Sequence, residues 1–302
     1  MYVSKDMIHT IINYLSYLPI PLFLVLVFLV IKNRKKIFSN LLLLLGSILV
    51  FFALLILIYA RVVEPNLLQV NHSNIEVGFK GRIVLISDIH VGAFSNQKFL
   101  KKVVDEINRI EDVDVVVLAG DITYYPREDL TKLLSPLKDL KYPVLAVFGN
   151  HDTGHPGPIL KKPIANAFEE LGVTLLENEG VKVDGSGIAF FGFGEFWDDR
   201  VDIEKWETFY SSNKNAIAIA HNPDTVYEYG DIIPSLTLSG HTHGGQIRLP
   251  LIYEYFIPTY YDFDEGFYNT PKGDVFVSSG LGMTGLPFRL GVSPVIDVIN
   301  LY

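Results

Sequence analysis

The longest uninterrupted apolar stretch of the chain covers residues 41–60 and contains no charged residue. A helix of about 20 apolar residues is long enough to cross a hydrocarbon layer of roughly 30 Å. A second stretch, residues 11–31, is also largely apolar, although Pro19 and Pro21 interrupt it. The pattern predicts two transmembrane helices, about 11–31 and 41–60, which form a membrane anchor over residues 1–62.

A short basic loop separates the two apolar stretches and contains Lys32, Arg34, Lys35 and Lys36. Short loops rich in Lys and Arg stay on the cytoplasmic side of a membrane. The rest of the chain is therefore expected outside the cytoplasm, even if only the second helix spans. A cleaved signal peptide is disfavoured because this basic loop, and no small-residue cleavage site, follows the first apolar stretch.

From residue 63 onward, short β-branched runs alternate with amphipathic stretches, which is typical of an α/β domain. Nearly continuous aliphatic runs predict three strands buried on both faces, at residues 82–87, 113–119 and 143–148. Apolar residues at helical spacing predict helices between them, at residues 96–110 and 127–140. The later strands follow without long helices, which predicts a mainly antiparallel second half with strands at residues 188–193, 216–220, 236–238, 274–278 and 295–301.

Charge and cysteine content narrow the possible functions. Residues 1–60 contain five basic residues and one acidic residue, so the remaining chain holds 20 of the 25 basic and 33 of the 34 acidic residues. This negative excess disfavours binding to a nucleic-acid backbone. The chain has no cysteine, which excludes disulfides and thiolate metal sites. Any bound metal must therefore use His, Asn and carboxylate ligands.

Metal-binding residue types follow the predicted strands, where ligands of α/β sheets gather. They are Asp88 and His90, Asp121, Asn150 with His151 and Asp152, His221, and finally His241 and His243. A single histidine at a strand end is usually structural. Five of the eight histidines lie at such ends, however, and core packing gives no reason for that distribution. The sequence therefore predicts one metal site assembled from several strand ends.

The motif series D-x-H, G-D, G-N-H-D, a separate His and G-H-T-H resembles that of the calcineurin-like metallophosphoesterases, over about residues 82–302. The runs 221–224 (HNPD) and 244–246 (GGQ) are similar to a bacterial membrane-linked branch that contains phosphodiesterases and UDP-diacylglucosamine hydrolases. The resemblance implies a metallophosphoesterase domain at residues 63–302, folded as a four-layer α/β/β/α sandwich behind the N-terminal helical hairpin.

The resemblance also implies a ligand set for two metal ions. One ion is held by Asp88, His90, Asp121 and His243, and the other by Asp121, Asn150, His221 and His241. This donor set suits manganese or iron, and also zinc, better than magnesium, which prefers oxygen ligands. Two such cations would activate a shared hydroxide and clamp the phosphoryl oxygens during its attack.

Three further residues are site candidates. By the resemblance, His151 acts on the leaving oxygen as a general acid. Asp152 has two open roles, either orienting His151 or capping the following turn. Arg289 could contact a substrate phosphate or form a plain salt bridge. The family often has Pro-Glu shortly after this arginine, whereas this chain has Pro294-Val295, so the contribution of that glutamate is missing.

The segment 253–268 is rich in aromatic residues and is expected to meet the membrane or an apolar substrate, or to cover a sheet edge. With the anchor, it predicts a phosphodiesterase or phosphatase that acts on lipid-linked or cell-envelope phosphate compounds at the outer face of a plasma membrane. Two alternatives are a non-catalytic membrane receptor or scaffold on the same fold and a cytosol-facing UDP-diacylglucosamine pyrophosphatase. Mono- and diesters are equally open as substrates.

Overall fold

The computed structural model describes residues 2–198 and 201–302, with side chains from residue 7 onward. The α-helices in this part of the chain are α1 (Tyr2–Leu15), α2 (Pro19–Lys32), α3 (Arg34–Phe38), α4 (Leu41–Ile58), α5 (Gln97–Ile107), α6 (Leu130–Leu134), α7 (Asn150–Thr153), α8 (Lys161–Leu171) and α9 (Ile203–Ser212). The strands are β1 (Gln69–Ile75), β2 (Gly81–Ile86), β3 (Val91–Gly92), β4 (Val115–Ala119), β5 (Thr123–Tyr124), β6 (Val144–Val147), β7 (Thr174–Leu175), β8 (Glu179–Lys182), β9 (Ala189–Gly192), β10 (Ile217–Ile219), β11 (Leu236–Ser239), β12 (Gly266–Thr270), β13 (Gly273–Val277) and β14 (Val295–Leu301).

Two six-stranded sheets form the centre of the α/β domain that follows the hairpin. The first has the strand order β1-β14-β2-β4-β6-β7, and its one antiparallel pair joins β14 to β2. The second has the order β12-β13-β11-β10-β9-β8. The prediction of a mainly antiparallel second half was wrong, because β13, β11, β10 and β9 are mutually parallel and only the two edge strands reverse. After each parallel strand, a connection returns the chain to the end of the sheet where the next strand begins. Helix α9, which the sequence pattern did not predict, lies in one of these connections.

The hydrophobic residues form three layers between and outside the sheets. In β2, Ile83 and Leu85 face the second sheet, whereas Val84 and Ile86 face the helices α5, α6 and α8. This alternation explains why the strand is aliphatic at every position. On the far side of the second sheet, Trp206 of α9 packs in a third cluster. The predicted four-layer α/β/β/α sandwich is confirmed.

The N-terminal segment forms a helical hairpin in which α2 packs antiparallel to α4, and α3 lies in the turn. The rings of Phe23 and Phe51 meet with their centroids 5.2 Å apart. By length and composition, two 26-residue stretches, Met7–Lys32 and Leu41–Asn66, are candidate membrane spans. Nearly all of their side chains lie on the outside of the protein, as expected for a lipid-facing pair.

Helix α1 begins before residue 11, where the predicted first span starts, and the candidate span in the structure covers Met7–Lys32. A turn at residues 16–18 separates α1 from α2, and α1 packs against the α/β domain. The ring of His9 lies 5.1 Å from that of Tyr124 and 4.1 Å from that of Tyr125. Arg127 donates a hydrogen bond to Thr10. Polar residues of α1 thus find partners on the domain surface that a hydrocarbon layer would not supply.

Candidate metal centre

Seven polar residues converge where the carboxyl ends of the two sheets meet. They follow β2 (Asp88 and His90), β4 (Asp121), β6 (Asn150), β10 (His221) and β11 (His241 and His243). All seven are buried. Because the strands of both sheets end at this edge, loops far apart in sequence place their side chains in one cluster.

The first group of donor atoms consists of Asp88 Oδ1, His90 Nε2, Asp121 Oδ2 and His243 Nε2. His90 Nε2 lies 3.1 Å from His243 Nε2 and 3.5 Å from Asp121 Oδ2. Asp88 Oδ1 lies 3.4 Å from His243 Nε2. Ligand atoms about 2.0–2.2 Å from one cation are separated by such distances. The four residues can therefore hold a metal ion.

The second group is centred on His221 Nε2. This atom lies 3.1 Å from Asn150 Oδ1, 3.2 Å from His241 Nδ1 and 3.4 Å from Asp121 Oδ2. The same Asp121 oxygen therefore faces both groups. Asp121 would therefore contribute to both cation sites, and its bridging role stays a prediction from the sequence resemblance.

Hydrogen bonds fix the outward-facing atoms of the ligands. His221 Nδ1 donates to the carbonyl of Ala119 at 2.8 Å, which leaves Nε2 free to face the centre. Asp88 Oδ2 accepts from the backbone N–H of His241 at 3.0 Å. Asp121 Oδ1 accepts from the backbone N–H of His151 at 2.8 Å. Each bond selects one ligand atom for the metal side.

One buried atom supports the fit of a cation. Asp88 Oδ1 is buried and has no hydrogen-bond partner within the described part of the chain. Buried polar atoms nearly always have a partner, and an unpaired carboxylate oxygen is costly. A cation in the first group would satisfy this oxygen, so the donor set and its surroundings fit a metal ion.

Burial and charge set the protonation of the ligands. Burial lowers the pKa of His90 and of His241 to about 3, and it lowers the pKa of His243 as well. These imidazoles are therefore neutral, which is the form that binds metals. Burial also acts to lower the pKa of His221, but the neighbouring Asp121 carboxylate outweighs it and raises that pKa to about 10. Asp121 thus attracts positive charge into the second group, where a cation would replace the proton.

The ligand loops have unusual backbone conformations. Asp88, His90, Asp121, His241 and His243 all have positive φ, between 49° and 74°. Non-glycine residues in this region cost on the order of 1–3 kcal/mol each and persist where the surroundings enforce them. Gly120 also has positive φ, and a Cβ there would lie 2.5 Å from His221 Nδ1. These sharp turns aim successive side chains at one point.

His151 lies beside the centre without belonging to either donor group. Its Nδ1 donates to the carbonyl of Pro156 at 2.8 Å, so Nε2 is the atom available for proton transfer. Nε2 lies 3.3 Å from Thr284 Oγ1 at the cleft wall. The imidazole is thus oriented and reaches the cleft, as proton transfer to a leaving oxygen would require, and the general-acid role stays a prediction.

Two roles were predicted for Asp152, orienting His151 or capping a turn, and its hydrogen bonds are those of a cap. Its carboxylate is fully buried and accepts from the backbone N–H groups of Gly149, Ile122 and Thr123 at 3.0–3.1 Å. No hydrogen bond between its carboxylate and the His151 ring is present in the described structure. Asp152 therefore ties the loop after β4 to the loop after β6, and its predicted catalytic role becomes one of positioning the two ligand loops.

Arg289 does not line the cleft, and its surroundings favour neither of its two predicted roles, a phosphate contact or a plain salt bridge. Its side chain is fully buried, and its Nε and Nη2 donate to the carbonyls of Ser279, Gly280 and Gly282. Burial lowers its pKa to about 10, so it stays charged. The guanidinium holds the glycine-rich loop against the metal centre, because the Gly282 N–H binds the carbonyl of Asp88. The sequence alone did not show whether the Arg289 guanidinium is buried against backbone carbonyls or exposed at the surface.

A cleft of about 520 Å³ opens onto the centre. It includes residues to which the sequence gave no catalytic role, namely Tyr124, His155, Trp197, Gln246, Phe256 and Thr284. The ring of Trp197 lies 5.1 Å from that of His241. Trp197 follows the exit of β9, so the strand-end rule that found the ligands could have found this residue too. The aromatic walls suit a substrate with an organic group next to its phosphate.

Two buried donor groups that share one aspartate, at the edge of a four-layer sandwich, define a binuclear metal-dependent hydrolase. The family model of the calcineurin-like phosphoesterases matches residues 81–245, more than half of the chain. The chain belongs to this family and is a metallophosphoesterase.

Several relatives agree with this assignment. The chain is 33% identical to the uncharacterised metallophosphoesterase YkuE of Bacillus subtilis, over 80% of this chain and 88% of the relative. It is 28% identical to the phosphodiesterase YaeI of Escherichia coli, over 59% of this chain and 66% of the relative. It is 27% identical to the UDP-2,3-diacylglucosamine pyrophosphatase LpxG of Chlamydia trachomatis, over 64% and 74%.

Proposed function

We propose that this metallophosphoesterase is an integral protein of a bacterial plasma membrane that hydrolyses a phosphate ester or phosphoanhydride of a lipid-linked compound at the outer membrane surface. The observation that carries the proposal is an apolar lip on the cleft, formed by Leu249, Leu251, Ile252, Tyr255 and Phe256. Leu251, Tyr255 and Phe256 are 93%, 86% and 78% exposed. Exposed apolar side chains grouped in this way mark a surface for membrane or apolar ligands.

The lip connects the cleft to the anchor. Phe256 lines the cleft itself. At the start of the lip, the N–H of Arg248 donates to the carbonyl of Leu290 at 2.7 Å. The N–H of Arg289, one residue earlier, donates to the carbonyl of Ala60 at 2.9 Å, just beyond α4. The lip and the end of α4 therefore flank one loop, which supports a cleft that opens next to the membrane surface.

Two bound divalent cations, proposed as manganese or iron with zinc also suited, would supply an activated water and neutralise phosphoryl charge. The protein residues would hold these cations and transfer the proton to the leaving group. Asp88, His90 and His243 hold one cation site, Asn150, His221 and His241 hold the other, and Asp121 joins them. His151 Nε2 faces the cleft and would give its proton to the leaving oxygen, since Pro156 already occupies Nδ1.

The names of two relatives support the substrate class. LpxG is named for a pyrophosphate of a diacylated sugar, and YaeI is named as a phosphodiesterase. A phosphodiester carries two organic groups on one phosphorus, whereas each phosphorus of such a pyrophosphate carries one organic group and one phosphoanhydride oxygen. In both cases, attack at phosphorus displaces one substituted oxygen and leaves the other in place. The complete donor set, with His151 in reach, favours catalysis over a non-catalytic scaffold.

The lip is tested by comparing a soluble and a membrane-embedded substrate. We expect Leu251→Ser/Tyr255→Ser to leave bis-p-nitrophenyl phosphate hydrolysis within about twofold of wild type, because neither residue lines the cleft. The KM for a phosphoanhydride of a diacylated sugar in vesicles should rise about tenfold, as expected for removing two apolar contacts. Ile233→Ser, which removes another exposed apolar residue, is the matched control. Equal KM values in vesicles for both variants would contradict the proposal.

The outward orientation of the domain is tested by cysteine labelling, because the chain has no natural cysteine. Lys214→Cys places a thiol on the catalytic domain, and Lys35→Cys places one in the basic loop. A membrane-impermeant maleimide should label the first in intact cells and the second only after lysis. The reverse result would favour the cytosol-facing alternative.

A further inference from the structure

A second cavity, distinct from the catalytic cleft, lies between the anchor and the catalytic domain. Its volume is about 470 Å³. The anchor contributes Asn13, Tyr17 and Arg61 to its wall. The catalytic domain contributes the start of α5, with Lys98 and Lys102, and the loops 92–96 and 281–283. None of these residues belongs to either metal-donor group.

The charges around the cavity have one sign. Arg61, Lys98 and Lys102 line it, and no aspartate or glutamate lies in its described wall. The two lysines are four residues apart, so they project from the same face of α5. Lys102 Nζ donates to the carbonyl of Asn66 at 2.8 Å, which draws its ammonium toward the anchor. The wall therefore carries three positive charges.

Arg61 is buried without a described carboxylate partner. Its Nε donates to Ser16 Oγ and its Nη2 to Asn13 Oδ1, both at 2.7 Å. Its guanidinium lies 4.1 Å from the centroid of the Tyr17 ring. These partners are neutral, and the nearby Glu64 instead accepts from the N–H of Gly291 at 3.0 Å. A buried charge without a counter-charge is costly, so an anion in the cavity would stabilise this arrangement.

The position of the cavity selects one kind of anion. Arg61 follows α4 by three residues, and the apolar surface of the hairpin begins directly beside it. Arg, Lys and Tyr gather at the level of lipid headgroups in membrane proteins. We propose that this cavity binds the phosphate of an anionic phospholipid headgroup, with the acyl chains along the exposed apolar surface of α2 and α4.

The proposal is tested by native mass spectrometry of the full-length protein released from detergent. We expect phosphatidylglycerol to bind wild type more tightly than phosphatidylcholine does. Lys98→Gln/Lys102→Gln should weaken phosphatidylglycerol binding about 30-fold, since each basic residue near an anionic lipid contributes on the order of a fivefold preference. The matched control is Lys101→Gln on the same helix, because Lys101 pairs with Asp105 and Asp139 outside the cavity. It should bind like wild type.

Three outcomes would overturn the proposal. Equal binding of phosphatidylglycerol by the double variant and by Lys101→Gln would show that the cavity lysines are not the site. Equal binding of the two lipids by wild type would point to an unspecific apolar belt. Competition of millimolar inorganic phosphate with the lipid would identify a free phosphate site instead. Because binding and not hydrolysis is measured, the result is independent of the proposed substrate.

Discussion

The metal centre and the helical hairpin are specified in different ways. In the centre, individual atoms have assigned partners: one Asp121 oxygen faces both donor groups and the other accepts from the His151 N–H. In the hairpin, the side chains are mostly apolar and outward-facing, and a contact such as that of Phe23 with Phe51 depends on size and not on direction. Substitutions that conserve side-chain size should therefore reduce activity strongly at the metal centre and only weakly in the hairpin.

The largest expected effect is that of Asp121→Asn. The substitution keeps the shape of the side chain but removes the charge shared by both donor groups. We expect kcat/KM for bis-p-nitrophenyl phosphate to fall about 10⁴-fold, or on the order of 5 kcal/mol. Asp184→Asn, at an exposed turn, serves as the control and should keep full activity. A loss below tenfold for Asp121→Asn would contradict the bridging role.

A somewhat smaller effect is expected for His151→Ala, because this side chain lines the cleft but belongs to neither donor group. We expect kcat to fall about 10²–10³-fold on an alkyl phosphate ester, whose leaving oxygen needs a proton. The loss should be much smaller on p-nitrophenyl esters, whose leaving group is stable as an anion. Bound metal, measured by elemental analysis, should equal that of wild type. The same loss on both substrates would argue against the general acid.

Asp297 lies outside both regions and tests how the burial of a carboxyl group affects stability where no catalytic role is involved. Burial raises its pKa to about 7, against the hydrogen bond from Ser278 Oγ at 2.7 Å. A raised carboxyl pKa contributes stability below the unfolded pKa and loses it as pH rises through the folded one. Asp297→Asn should therefore be more stable than wild type at pH 8 by roughly 1–3 kcal/mol, with the difference shrinking toward pH 5. Thermal unfolding across this pH range measures it, and a pH-independent difference would contradict the assignment.

The smallest effect is expected in the hairpin. Phe51→Leu keeps an apolar side chain of similar reach against Phe23. We expect membrane association and phosphoesterase activity to change by less than about twofold, since swaps that conserve apolar character and volume cost little. Cell fractionation and the soluble diester assay measure both. A large loss would mean that the hairpin is specified as tightly as the metal centre.

The sequence predicted the ligands better than it predicted their geometry. Strand ends located Asp88, His221 and the other donors because buried aliphatic runs and polar exits are local signals. The positive φ of the ligand residues is not such a signal, since the assembled loops impose it.

Long-range packing limited the other predictions in the same way. The parallel pairing of β9 with β10 requires a connection that returns the chain across the sheet, and the unpredicted helix α9 lies in it. The docking of α1 depends on contacts of His9 with Tyr124 and Tyr125, more than a hundred residues away. The buried guanidinium of Arg289 likewise depends on a loop that only the fold brings near.

The most direct test of the central claim is anomalous diffraction from a crystal of the manganese-loaded protein. Two buried donor groups that share Asp121 predict two manganese peaks about 3.5–4 Å apart. One peak should lie among Asp88, His90 and His243, and the other among Asn150, His221 and His241. A single peak, or peaks away from these side chains, would contradict the binuclear centre on which the proposed phosphoesterase mechanism rests.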